Sequence, residues 1–112
     1  MRVFDNTTAD ADWVADIEVA RWEQYGVGNS MPFNAMWYTV RPGSTSPADR
    51  HPEVELSIVV QGSAVVSSDS GSVVVERGAA FLIESDETHT VENRSFATPL
   101  LVFSAYWMPG NA

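Results

Sequence analysis

The sequence predicts an all-β fold, a barrel or sandwich of short antiparallel strands. Three observations predict it. Short runs of strand-forming residues follow one another from Ile17 to Trp107, most of them closed by Gly, Pro, Asn or Ser. One of these runs, Glu53 to Val60, alternates strictly. Val54, Leu56, Ile58 and Val60 share one parity, while Glu53, Glu55 and Ser57, with His51 just upstream, share the other. Almost nothing else in the chain reads as helix.

The elements follow in order. Residues 5–16 are acidic and polar, with Trp13 and Val14 as the large apolar anchors. They read as a loose N-terminal arm, residues 1–16, or one short helix. Ile17 to Trp22 reads as a strand, and Gly26, Gly28, Asn29 and Pro32 break the chain after it. Ala35 to Arg41 is a second strand, stopped by Pro42-Gly43. Ser44 to Arg50 is a polar loop and Glu53 to Val60 the alternating strand. Ser63 to Ser67 and Ser72 to Glu76 make a hairpin around Asp69-Ser70-Gly71. Ala79 to Ile83, Thr90 to Asn93 and Leu100 to Trp107 complete the strands, with a loop at Glu84 to Thr88.

Composition narrows the chemistry. The chain has 112 residues, the size of one domain with one core, and no internal repeat. It has no cysteine, which removes disulfides, thiolate metal sites and cysteine nucleophiles. It has no lysine, so Schiff-base chemistry is excluded and all cationic side chains are six arginines and two histidines. A net charge of −9 repels phosphate backbones, so nucleic-acid binding is not expected. No run is long enough for a membrane helix and the N-terminus lacks a signal-peptide core, so no membrane partner is expected and the expected location is cytoplasmic.

The two histidines, His51 and His89, stand at strand edges beside acidic residues. Either alone is an ordinary surface histidine. Together they suggest a metal. His51 and Glu55 lie four apart on an extended segment and project to one side. With His89 from another strand they form a 2-His-1-carboxylate set. That set suits Fe(II), and also Zn(II), Mn(II), Ni(II) or Cu(II). Asp49 shares the parity of His51 and is a candidate fourth oxygen donor.

These residues carry a resemblance to the cupins. Gly43, Asp49, His51, Glu55 and Gly62 match the spacing of the first cupin motif, with Asp49 where the family has its first histidine. Gly78, Glu84, Asp86, His89 and Asn93 match the second, with Glu84 for Pro and Asp86 for Gly. Motif 1 spans residues 43–62 and motif 2 spans 78–93, separated by 15 residues as in compact microbial members. The resemblance implies a jelly-roll barrel, a double-stranded β-helix, over a single domain of residues 1–112. It also implies one divalent metal ion on His51, Glu55 and His89. The loss of the first histidine leaves two readings: Asp49 replaces it as a ligand, or the fold persists without a functional metal.

Such barrels host many activities. The leading expectation is a metal-dependent enzyme on a small molecule, working by Lewis-acid and acid/base chemistry in an isomerisation, cyclisation, lyase or rearrangement step, with Glu53 or Asp49 moving the proton. Small cupin domains also occur in hydrazine-forming synthetases, which adds N–N bond formation as a named possibility. An Fe(II) dioxygenase and a non-catalytic ligand-binding module are the alternatives. Arg41, at the end of a strand leading into motif 1, is a candidate clamp for a substrate carboxylate. In Trp37-Tyr38 and Tyr106-Trp107 one member of each pair faces in and the other out. Trp37, Tyr38, Phe81 and Trp107 are the candidate pocket aromatics, and the outward ones suggest a homodimer face.

Overall fold

The computed structural model describes residues 1–110; Asn111 and Ala112 of the expected domain lie outside the described residues. Nine strands are described: β1 (Asp12–Val14), β2 (Ile17–Arg21), β3 (Asn34–Val40), β4 (Val54–Gln61), β5 (Ser63–Ser68), β6 (Gly71–Glu76), β7 (Ala80–Ile83), β8 (His89–Glu92) and β9 (Leu100–Trp107). All pairings are antiparallel. One sheet has the order β1-β2-β3-β9-β4-β7 and the other β6-β5-β8. The fold is the jelly-roll barrel that the strand pattern and motifs predict. No helix of the described residues is long and apolar enough to cross a membrane.

Among the described residues, helix is confined to two 3-10 turns, Asn6–Thr8 and Trp22–Tyr25. The arm is therefore more than a loose segment. The Asp5 carboxylate accepts from the Thr7 amide at 2.9 Å and caps the first turn. Residues 12–14 then add β1 to the edge of the large sheet, pairing Asp12 with Val19 and Val14 with Ile17. The strand expected at Ile17–Trp22 ends at Arg21, where Trp22 opens the second turn and folds over the outer sheet face. There Trp22 meets Trp37 and Phe103, each with ring centroids 5.3 Å away, and Phe4 at 4.8 Å.

The core lies between the sheets. Val40, Leu100 and Val102 are 0% exposed and Val59 1%, packed with Val19, Tyr38, Val66, Val75, Ile83 and Val91. The alternating strand β4 orients opposite to a simple apolar-in rule. Glu55, Ser57 and Val59 face the barrel interior, while Leu56, Ile58 and Val60 remain 37–41% exposed on the outside. The inward polar groups find partners. The Ser57 and Ser104 hydroxyls meet at 2.6 Å, both 0% exposed, across the β4–β9 pairing. Glu55, Ser57 and Ser104 thus form a buried polar group on the inner face of β4 and β9.

The motif residues that are not candidate ligands build the frame. Gly43 and Gly62 have φ of +73° and +87°. A Cβ on Gly62 would come within 3.0 Å of the Pro99 carbonyl, so the turn out of β4 requires glycine. Asn93, 1% exposed, donates to the Val40 and Thr98 carbonyls at 3.1 and 2.8 Å and accepts from the Ser95 amide at 3.1 Å. It fixes the turn before β9. Asp86, at the position where the second motif has glycine, keeps the left-handed conformation with φ +61°. Aspartate is among the side chains that tolerate this region best.

Candidate metal centre

Loop residues 44–50 lie against β8 as a further edge. Ser46 N donates to Val91 O at 2.8 Å, and Asp49 and His89 exchange backbone hydrogen bonds at 3.0 and 2.9 Å. The second pair is an antiparallel bridge, which places its two side chains next to each other. His51 follows two residues after Asp49. The loop after β7 holds it from the other side: Asp86 N donates to His51 O at 2.8 Å, and Ser85 Oγ to Pro52 O at 2.6 Å.

The result is a convergent group. Asp49, His51 and His89 each offer a ligand atom within 4.8 Å of the other two. The histidine rings lie 5.1 Å apart at 78°. His51 Nδ1 donates to Glu53 O at 2.9 Å and His89 Nδ1 to Glu87 O at 3.0 Å. Each ring is thereby fixed in the tautomer that presents the Nε2 lone pair, the usual outer support of a metal-bound imidazole.

Glu55 is not part of the convergent trio. Its carboxylate, 6% exposed, turns to His51, with Oε1 3.1 Å from Nε2, and Oε2 accepts from Ser57 Oγ at 3.4 Å. With the Nδ1 proton committed to Glu53 O, Nε2 and Oε1 are two acceptors face to face. A proton or a cation must sit between them. Donors bound to one ion at about 2.1 Å lie roughly 3 to 3.5 Å apart, so this spacing also suits a shared metal. The donor set of two imidazoles and one or two carboxylates fits a divalent ion of the first transition row. Asp49 thus joins the two histidines in one group, where it could supply an oxygen donor.

Two adjoining cavities of about 260 Å³ each open onto this group. The first is mostly apolar, with Ile17, Met36, Tyr38, Phe81, Ile83 and Val91 beside Asp49, Glu55 and His89. The second is more polar and adds Arg21, His51, Glu53 and Tyr106. Burial and the nearby Glu55 charge raise the Tyr38 phenol well above its ordinary range, so it stays protonated. Burial and Glu23 likewise raise Tyr106, against a hydrogen bond from Arg21 Nη1 at 3.3 Å.

Of the pocket residues expected from the sequence, Tyr38, Phe81, Glu53 and Asp49 line the cavities. Three do not. Trp37 sits on the outer face with Trp22 and Phe103. Trp107 lies in a separate surface hollow with Met31, Pro32, Phe33 and Met108. Arg41 stacks on Trp13, with its guanidinium carbon 4.1 Å from the ring centroid. The physical reason is alternation: Tyr38 and Tyr106 take the inward places, which sends Trp37 and Trp107 out. Arg21 and Tyr106 were not among the expected site residues. Arg21 shares the parity of Ile17 and Val19, and that parity was the available signal.

The Cupin domain family model matches residues 36–106. No curated protein matches the chain. Among solved structures, a Photorhabdus luminescens protein is 27% identical, with a TM-score of 0.78 over 96% of this chain and 86% of that one. A Cupin 2 conserved barrel domain protein from Salinispora arenicola is 23% identical, with a TM-score of 0.77 over 96% and 87%. The polyketide cyclase RemF from Streptomyces resistomycificus is 18% identical, with a TM-score of 0.79 over 95% and 78%.

Proposed function

Because the chain belongs to the cupin family, with 71 of its 112 residues inside the matched domain and its candidate donors brought together in one group, we propose that it is a metal-dependent enzyme acting on a small molecule. The observation that carries this reading is that His51 and His89 both commit Nδ1 to backbone carbonyls, which leaves Nε2 of His89 open and Nε2 of His51 against Glu55, in one group with Asp49. Asp49, His51 and His89 hold the ion, and Glu55, buried against His51, is the fourth donor. A bound divalent ion supplies Lewis acidity toward a substrate carbonyl or carboxylate oxygen.

The chain's own groups supply the rest. The apolar cavity takes the body of the substrate and excludes water from it, which strengthens polar contacts at its rim. Glu53, on the wall of the second cavity, accepts a proton from the carbon next to the polarised group. The neutral Tyr38 hydroxyl keeps its proton beside the Ser57–Ser104 pair and adds no charge to the cavity floor. Isomerisation, cyclisation and lyase steps share this proton movement. That one similar barrel is a polyketide cyclase agrees with this range. In the same reading the protein is a homodimer joined through the exposed apolar face of β4 and β7, with Leu56, Ile58, Val60 and Leu82.

The test is deuterium exchange at the carbon beside the ketone of phenylpyruvate, followed by proton NMR with metal-loaded protein. The reading expects faster exchange than with the same metal in buffer, and loss of the acceleration in Glu53→Gln and in His89→Ala. No acceleration over the metal control counts against it. Oxygen consumption by the iron-loaded protein would instead identify an oxygenase.

A further inference from the structure

Arg21 is the arginine that lines this site. Of the six arginines, the other five lie elsewhere. Arg2 donates to the Tyr25 carbonyl, Arg41 stacks on Trp13, and Arg94 pairs with Glu92 at 2.8 Å. Arg50 and Arg77, exposed like Arg21, line neither cavity. Arg21 ends β2 on the inward parity, opposite Met36 in the register with β3, and lines the second cavity with Asp49, His51, Glu53 and Glu55. Its side chain makes no ion pair among the described residues, although that cavity has three carboxylates. Its polar partner is the Tyr106 hydroxyl, an acceptor that orients one edge of the guanidinium and leaves the other donors open.

We propose that Arg21, oriented by Tyr106, binds the carboxylate of a substrate whose apolar body fills the adjoining cavity. The inference rests on the enzymatic reading above and names its substrate class, a small organic acid with a hydrophobic or aromatic tail. With one divalent ion bound, the ion and Arg21 together offset Asp49, Glu53 and Glu55, so a monoanion leaves a net charge of only −1 in the cavity. A phosphate dianion would face the same three carboxylates at greater cost. The planar fork of a guanidinium matches the two oxygens of a carboxylate. The walls beyond it, Met36, Phe81, Ile83 and Val91, offer only apolar contact.

The experiment is calorimetric binding of 3-phenylpropanoate and of its neutral isostere 3-phenylpropanamide. Each is titrated into wild type, Arg21→Met, Arg21→Lys and Tyr106→Phe, with the metal loaded and with it removed. The expected result is tighter binding of the acid than the amide in wild type. Arg21→Met should lose about tenfold for the acid alone, with Arg21→Lys in between. Tyr106→Phe should lose severalfold for the acid alone, and it decides the matter if Arg21→Met does not fold. Equal acid affinity in wild type and Arg21→Met overturns the proposal. So does a parallel loss for acid and amide, or no binding of either probe to wild type. Metal content, measured on the same samples, separates this outcome from failure of the metal reading. The Arg21 contrast is still read on metal-free protein if no ion binds, and it can vanish while the ion remains.

Discussion

Asp49 and His89 face each other across an antiparallel bridge, exchanging backbone hydrogen bonds at 3.0 and 2.9 Å. The backbone, not the side chains, therefore brings the carboxylate to the imidazole. Because of this, removing the side chain should spare the fold. Asp49→Ala is expected to lower affinity for a divalent ion by at least about 100-fold. Its metal-free stability should stay within about 1 kcal/mol of wild type. Asp49→Asn, which keeps one oxygen, should fall between. Competition with a chromogenic chelator reads the first and urea unfolding the second; unchanged affinity in Asp49→Ala removes it from the ligand set.

Asp86 holds the other side of the site. Its amide reaches the His51 carbonyl at 2.8 Å from a left-handed backbone with φ +61°. A β-branched residue there should cost about 1–2 kcal/mol, so Asp86→Val should lower Tm by several degrees. Asp86→Gly should leave Tm nearly unchanged. Since the turn positions His51, Asp86→Val should also weaken metal binding. A Tm for Asp86→Val equal to wild type would show that the turn carries no strain.

Tyr38 gives a pH prediction. Burial and Glu55 raise its folded pKa above the ordinary 10.0. The folded protein then binds the phenolic proton more tightly than the unfolded chain does. Its stabilising share is full below about pH 10 and is lost as pH rises beyond the unfolded value. Urea midpoints of wild type should therefore drop between pH 9 and pH 11 more steeply than those of Tyr38→Phe. Tyr106, raised in the same direction, remains in both proteins and cancels from the difference. Parallel pH slopes for the two proteins would contradict this.

The outer face of β4 and β7 predicts self-association. Leu56, Ile58, Val60 and Leu82 are 37–49% exposed on one side of the sheet. Sedimentation equilibrium should show a dimer for wild type and a monomer for Ile58→Glu, with the same far-UV circular dichroism. A wild-type monomer at tens of micromolar would refute this assembly.

Much of this architecture is legible in the residues. The strand at Leu100–Trp107 and the hairpin around Asp69-Ser70-Gly71 follow from local composition, and the spacing around His51 and His89 predicts that the two converge. Other features depend on contacts that no local pattern encodes. β1 forms because Asp12–Val14 finds the open edge of β2, an event between segments and not within one. The orientation of β4 is hidden because alternation gives two faces without saying which is inside. Here the Ser57–Ser104 and Glu55–His51 contacts make the polar face the inner one. The same ambiguity puts Trp37 and Trp107 outside and leaves Arg21, not Arg41, in the cavity. Arg41 lies one residue beyond β3, where Trp13 from β1 captures it.

The central claim is that His51 and His89 hold one divalent ion. Elemental analysis of protein purified without chelator and reconstituted with Zn(II), Mn(II), Fe(II) or Ni(II) tests it most directly. The account predicts close to one ion per chain in wild type and almost none in the His51→Ala, His89→Ala double variant, both with the same β-rich circular dichroism. Equal metal content in the two proteins would contradict it.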